Sequence, residues 1–167
     1  MATNLMRYEL DGAPHWGVAS ALGIAPLDGV YPTTAALIHH GETDWRRASA
    51  RAPNLSFESA QILSPVTTPC RIYCQGANYR QHMIESGMDP DTKSFNMFFT
   101  KSDASVTSAK ETVTPPNHVS LLDYEIELAL IFRRPIVSAV TVTREKLKDY
   151  VFAVAIANDF KIGRAHV

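Results

Sequence analysis

The chain has 167 residues, 46% hydrophobic and 20% charged, with a formal net charge of −1. This allows one moderate core with a small appended unit, and without a long basic cluster nucleic acid is not suggested as a partner. No apolar run approaches the ~20 residues that cross a bilayer, and the start, MATNLMRYELDG, lacks the charged-then-apolar order of a signal peptide. Leu5–Glu9 and His15–Ser20 read as two short strands joined around Asp11-Gly12, a hairpin signal. Thr33–His40 reads as a short helix, with Thr33 as its cap and Gly41 as its stop. Adjacent helical residues face about 100° apart, so His39 and His40 do not suit one metal ion and are read as a solvated helix end. From Gly41 to Thr68 the polar composition and Pro53 and Pro65 suggest a helix followed by a linker, with a domain boundary between Pro65 and Pro69.

Arg71–Gln75 is an apolar-centred strand that ends at Gly76. Cys70 and Cys74 are the only cysteines. On a strand this spacing separates them by about 13 Å, too far for a disulfide, so they are read as reduced core residues of a cytoplasmic protein. Asn78–Glu85 suits a helix closed by Ser86-Gly87. At a spacing of three, His82 and Glu85 share a helix face. A carboxylate beside an imidazole raises its basicity, as a general base requires, although such pairs also occur as plain surface contacts. Asn96–Thr100 is a short strand followed directly by Lys101, and Thr112–Pro116 is extended.

Leu121–Phe132, LLDYEIELALIF, is read as one strand with alternating faces. Leu122, Tyr124, Ile126, Leu128, Leu130 and Phe132 form an apolar face expected to be buried. Asp123, Glu125 and Glu127 share the other face with Ala129 and Ile131. Same-face anions roughly 7 Å apart repel unless water screens them or a cation lies between them. Two readings stay open: a solvated face of a one-sided sheet, or a divalent-cation site, since hard cations take carboxylate oxygens. Thr143–Tyr150 reads as a short helix capped by Thr143. Val151–Ala157 is a run of seven apolar residues, the mark of a strand buried on both faces, and it delivers Asn158-Asp159 at its end. An acid there needs solvent or a partner.

Four segments in order, RIYCQGANYRQHMIESG, MFFTKSDAS, LDYEIELAL and VAIANDF, resemble the fumarylacetoacetate hydrolase superfamily from about Pro69 to Phe160. The resemblance implies an α+β fold, an incomplete mixed β-roll preceded by a small β-rich N-terminal domain. The implied division is 1–68 for the small domain and 69–160 for the N-terminal part of the catalytic domain. It also implies that Glu125, Glu127 and Asp159 hold Mg²⁺, or Mn²⁺ or Ca²⁺ in its place, and that His82 and Glu85 form a His-Glu pair on a mobile lid from Tyr79 to Thr92. Lys101 matches a family lysine, with Thr100 before it where leucine is frequent. The implied activity is metal-dependent hydrolysis of a carbon–carbon bond in acylpyruvate-like 2,4-dioxo acids. The partners are then a small-molecule oxo acid and, in the full-length protein, a second copy of the chain as a homodimer, with neither nucleic acid nor membrane. Decarboxylation, isomerisation or dehydration of a related oxo acid is the alternative, and a cation-stabilised structural module is the reading without catalysis.

Family members continue past the third acid with Thr-Ala-Arg-Asp or Ser-Ala-Arg-Asp, where this chain has Lys-Ile-Gly-Arg-Ala-His-Val. Ile162–Val167 is what the common sequencing-adapter string ATCGGAAGAGCACACGTC encodes. Residues 161–167 are therefore expected to be a non-native tail on a truncated chain, inactive as it stands, with no role for Arg164 or His166. The strand Val151–Ala157 would then lack a neighbour on one side and present an aggregation-prone edge.

Overall fold

The structure is a computed structural model that describes residues 2–85, 87–92 and 95–162. Part of the expected tail, 163–167, lies outside the described residues, as does Ser86. The chain divides into two compact units, Met1–Thr112 and Val113–Val167.

In the first unit, Asp11 and Gly12 both take left-handed backbone, φ 53° and 76°. That geometry lets a tight turn follow the twist of its strands. It joins β1 (Leu5–Leu10) to β2 (Ala13–Ser20), antiparallel with Tyr8 opposite His15. Two further strands complete the sheet in the order β3-β2-β1-β4: β3 (Gly23–Pro26) and β4 (Gln61–Leu63). Neither was expected from the sequence, because three or four residues are too few to show a period of two. The stretch read as a linker thus contains an edge strand. Helix α1 (Thr34–His40) starts where expected, with the Thr33 hydroxyl accepting from the Ala36 amide at 3.0 Å. Helix α2 (Glu42–Ser49) follows at once.

Burial along the sheet produces two apolar clusters. Trp16, Ala25, Leu27, Leu37 and Ala48 form one, and Tyr8, Ile24 and Ala60 the other. Asp44 is buried with them. It accepts hydrogen bonds from the amides of Gly29 (2.7 Å) and Asp28 (3.2 Å) and from the Tyr31 hydroxyl (3.1 Å). A buried carboxylate survives because these donors replace its water. The same unit carries a hairpin of β5 (Ile72–Gly76) and β6 (Met97–Lys101) with helix α3 (Arg80–Glu85) between them. Lys101 is the last residue of β6 and lies opposite Ile72. Cys70 and Cys74 are free thiols but half-buried, not core residues, and burial followed by the Asp103 charge raises the Cys70 thiol pKa.

The second unit departs further from expectation. The stretch read as one strand breaks at Tyr124–Glu125 into β7 (Leu122–Asp123) and β8 (Ile126–Phe132). β8 pairs antiparallel with β9 (Val151–Asn158), and β7 with β10 (Lys161–Ile162). β9 was expected to be buried on both faces, yet among the described residues it pairs with β8 and exposes Val154 (63%) and Ile156 (75%). The apolar face of β8 is exposed as well, from Tyr124 and Ile126 to Phe132. Alternation sorts residues between two faces but does not say which face is covered. The segment before β9 is a 3-10 turn, Arg144–Asp149, not an α-helix, and Thr143 makes no side-chain cap to it. The Thr143 side chain bonds the Glu145 carboxyl instead, which helps to lower its pKa after the larger effect of the Glu145 backbone amide. Among the described residues no helix is long and apolar enough to cross a membrane.

Gly17 tests the packing of the first unit. A Cβ there would stand 2.5 Å from the Ile24 methyl and 3.0 Å from the Ala25 carbonyl oxygen. Gly17→Ala should therefore destabilise the chain by about 1–3 kcal/mol, seen as a lower urea midpoint.

Candidate functional site

The acids of the second unit are placed by backbone pairing. The Glu125 amide donates to the Asp159 carbonyl at 3.1 Å, and the Asp159 amide donates to the Glu125 carbonyl at 2.7 Å. Two residues that exchange both bonds across an antiparallel pair carry their side chains on the same face. Glu127 follows two positions later, opposite Ala157, and returns to that face. All three acids are half-buried.

Lys161 stands at the meeting point. Its ammonium nitrogen is 2.5 Å from Glu125 Oε2 and 4.0 Å from Asp159 Oδ2. The Lys161 side chain is 22% exposed, and those of Glu125 and Asp159 are 12% and 18%. Burial acts to lower the Lys161 pKa, but the Glu125 hydrogen bond and the charges of Glu125, Asp159 and Glu127 outweigh it and hold the ammonium above its ordinary value. Among the described residues no group of three or more His, Cys, Asp or Glu side chains is gathered to share a metal ion. The donors nonetheless suit a hard divalent ion in kind: they are carboxylate oxygens, two of which, from Glu125 and Asp159, already face one cation, and Ala157 and Ala155 on the facing strand are small. Lys161 was assigned to the expected non-native tail, and no signal in the sequence marked it as a partner of the acids.

His82, Glu85 and Lys101 lie in the first unit. Gly76 ends β5, Ala77 follows with a left-handed φ of 50°, and α3 begins three residues later. The helix closes as expected at Gly87, φ 75°, with the Met88 amide donating to the Met83 carbonyl (2.8 Å) and the Gly87 amide to the Ile84 carbonyl (3.0 Å). This double closure satisfies the last carbonyls and needs a residue that tolerates positive φ. Met83 is buried, His82 half-buried and Glu85 exposed. The Glu85 carboxylate accepts from Gln81 Nε2 at 3.0 Å. Arg80 grips Asp91 with two hydrogen bonds, 2.6 and 2.9 Å, and so ties the helix to the segment after it.

The chain thus carries carboxylates paired at a strand end in its second unit and a His-Glu spacing on a short helix in its first. The family model for the C-terminal domain of fumarylacetoacetate hydrolase matches residues 71–165, more than half of the chain, and the chain belongs to that family. An oxaloacetate tautomerase, YisK of Bacillus subtilis, is 37% identical over 106 residues, covering 62% of this chain and 34% of that protein. An uncharacterised protein of Staphylococcus aureus is 32% identical over 108 residues, 63% of this chain and 33% of its own length. The chain thus spans about a third of the length of these curated relatives. A solved fumarylacetoacetate hydrolase from the psychrophilic Exiguobacterium antarcticum matches the fold with a TM-score of 0.66 at 24% identity, over 96% of this chain and 57% of that one.

The Arg80–Asp91 pair has a pH signature. The hydrogen bond from Arg80 holds the Asp91 carboxyl below its ordinary value near 3.8. A depressed carboxyl pKa means that the contribution of the pair is complete above the unfolded value and fades as pH falls through the folded one. Arg80→Ala should raise the Asp91 pKa towards 3.8 in an NMR titration and speed amide exchange along α3.

Proposed function

We propose that the complete protein is a metal-dependent enzyme acting on enolisable 2-oxo acids, with Glu125, Glu127 and Asp159 as the cation's ligands. The observation that carries this reading is the reciprocal Glu125–Asp159 pairing, which aims two half-buried carboxylates at one point. The cation, Mg²⁺ by the hardness of the ligands, supplies Lewis acidity that polarises the substrate's carboxylate and neighbouring carbonyl and offsets enolate charge. His82 serves as the base, with Glu85 orienting its imidazole, and Lys101 adds a positive charge for the developing anion.

The first reaction we assign is proton transfer at the carbon beside the ketone, a keto–enol tautomerisation; the relative named as an oxaloacetate tautomerase supports it. A second reading is hydrolytic carbon–carbon cleavage of a 2,4-dioxo acid, supported by the hydrolase family model. There His82 removes a proton from water, the hydroxide adds to the distal carbonyl, and the carbon–carbon bond breaks. A carboxylic acid and the enolate of a 2-oxo acid result, and the enolate then takes up a proton. The two readings share the acids and the base and differ in whether water attacks. We further infer that the complete catalytic domain closes into a mixed β-roll and that the protein works as a homodimer on a small-molecule substrate.

Incubating the complete protein with oxaloacetate and with acetylpyruvate, with and without Mg²⁺, tests the reading. Mg²⁺-dependent interconversion of oxaloacetate tautomers supports the first reaction, and pyruvate release from acetylpyruvate the second. A metal-loaded protein inert towards both overturns the proposal. Glu127→Ala should abolish the rise in melting temperature on adding excess Mg²⁺. His82→Ala should lower turnover by roughly 10² or more while leaving Mg²⁺ affinity unchanged; loss of affinity instead would make His82 structural or a ligand.

A further inference from the structure

Arg7 lies on β1, between β2 and β4, so its guanidinium starts from the middle of a sheet. The residues opposite it, Trp16 and Leu63, are apolar and offer no counter-charge. Among the described residues Arg7 has no ion-pair partner. A guanidinium presents five N–H donors. Arg7 makes one long hydrogen bond, Nη1 to the Ser64 carbonyl at 3.4 Å, and its buried Nε has no partner. Donors withdrawn from water ordinarily find acceptors, so this half-buried charge is poorly met.

Arg7 lines a cavity of about 350 Å³ that lies wholly within the first unit. Small-molecule sites run from roughly 300 to 1,000 Å³. Two of the lining segments are clipped together where the Ser64 amide donates to the Ser108 hydroxyl at 3.1 Å. That hydroxyl keeps its own hydrogen to donate. Glu111 lines the same cavity and, among the described residues, has no ion-pair partner either. Two opposite charges thus share one cavity without meeting. Arg7 is half-buried and Glu111 exposed, so the positive charge lies deeper than the negative one.

We propose that this cavity binds a small amino carboxylate, its carboxylate on Arg7 and its ammonium towards Glu111. Guanidinium and carboxylate meet in two parallel hydrogen bonds, and the Ser108 hydroxyl suits a remaining lone pair. A phosphate would bring surplus negative charge towards Glu111, and a plain carboxylate would leave Glu111 unanswered. A molecule with both charges answers both. None of the residues assigned to the metal or the base takes part.

Calorimetry on the complete protein compares glycine and 4-aminobutyrate, which bracket the separation of the two charges, with butyrate, butylamine and inorganic phosphate. One of the two amino acids should bind about tenfold or more tighter than any of the other three compounds. Arg7→Met should weaken that binding by about tenfold or more, and Glu111→Gln should erase the preference over butyrate. Failure of both amino acids to bind overturns the proposal, as does binding that Arg7→Met leaves unchanged. Butyrate or phosphate bound as tightly as the amino acid overturns the paired-charge recognition. Arg7 stands inside a sheet, so one reading needs no substitution: its Nε–Hε resonance in the unmutated protein should shift as the amino acid saturates the site. A saturated protein in which that resonance stays in place also overturns the proposal.

Discussion

The two hydrogen bonds exchanged by Glu125 and Asp159 are the constraint on which the second unit depends. They continue the β8/β9 register that runs from Leu130 opposite Val154 to Ile126 opposite Asn158. Because side chains alternate strictly along each strand, this one pairing also decides where Glu127, Ala129 and Ala157 project. It forces two anions together, and a cation must answer them. In this structure the answer is Lys161, whose presence turns a repulsive pair into a satisfied one.

The first unit is held by different physics. Its sheet and two helices enclose Trp16, Leu37 and Ile24, and its one buried acid among the described residues, Asp44, is neutralised by hydrogen-bond donors, not by a cation. Asp44 sits in the first turn of α2 and binds the backbone of the loop after β3, so it fastens helix to sheet. In the second unit, Glu125 and Asp159 instead face the Lys161 ammonium.

Much of this was readable in the sequence where a local rule is strong. Asp11-Gly12 marked its turn, Thr33 and Gly41 marked both ends of α1, and Gly87 marked the close of α3. The E-x-E spacing put Glu125 and Glu127 on one face without any tertiary information. What escaped depended on distant partners. β3 and β4 exist because β2 and β1 offer them edges, not because Gly-Ile-Ala-Pro or Gln-Ile-Leu favours a strand. The break at Tyr124 and the exposure of Ile126, Leu128 and Ile156 follow from which surfaces lie nearby, and periodicity is silent on that. Lys161 was read as part of a non-native tail, and its contact with Glu125, thirty-six positions earlier, is a tertiary one that its neighbours along the chain do not signal.

The bulge between Ile131 and Phe132 divides the second unit into regions of unequal tolerance to changes in chain length. Between Ile126 and Ile131, one inserted or deleted residue would exchange the two faces of β8 relative to its neighbours and send acids and apolar side chains to the wrong sides. Such a change would invert the local surface and not merely weaken it. Beyond the bulge the register has already been reset once, and the 3-10 turn and loop from Arg133 to Tyr150 can change in length without moving Glu125 against Asp159. Length variation among relatives should accordingly gather after Phe132, while the interval from Glu125 to Ile131 stays constant in number even where its residues differ.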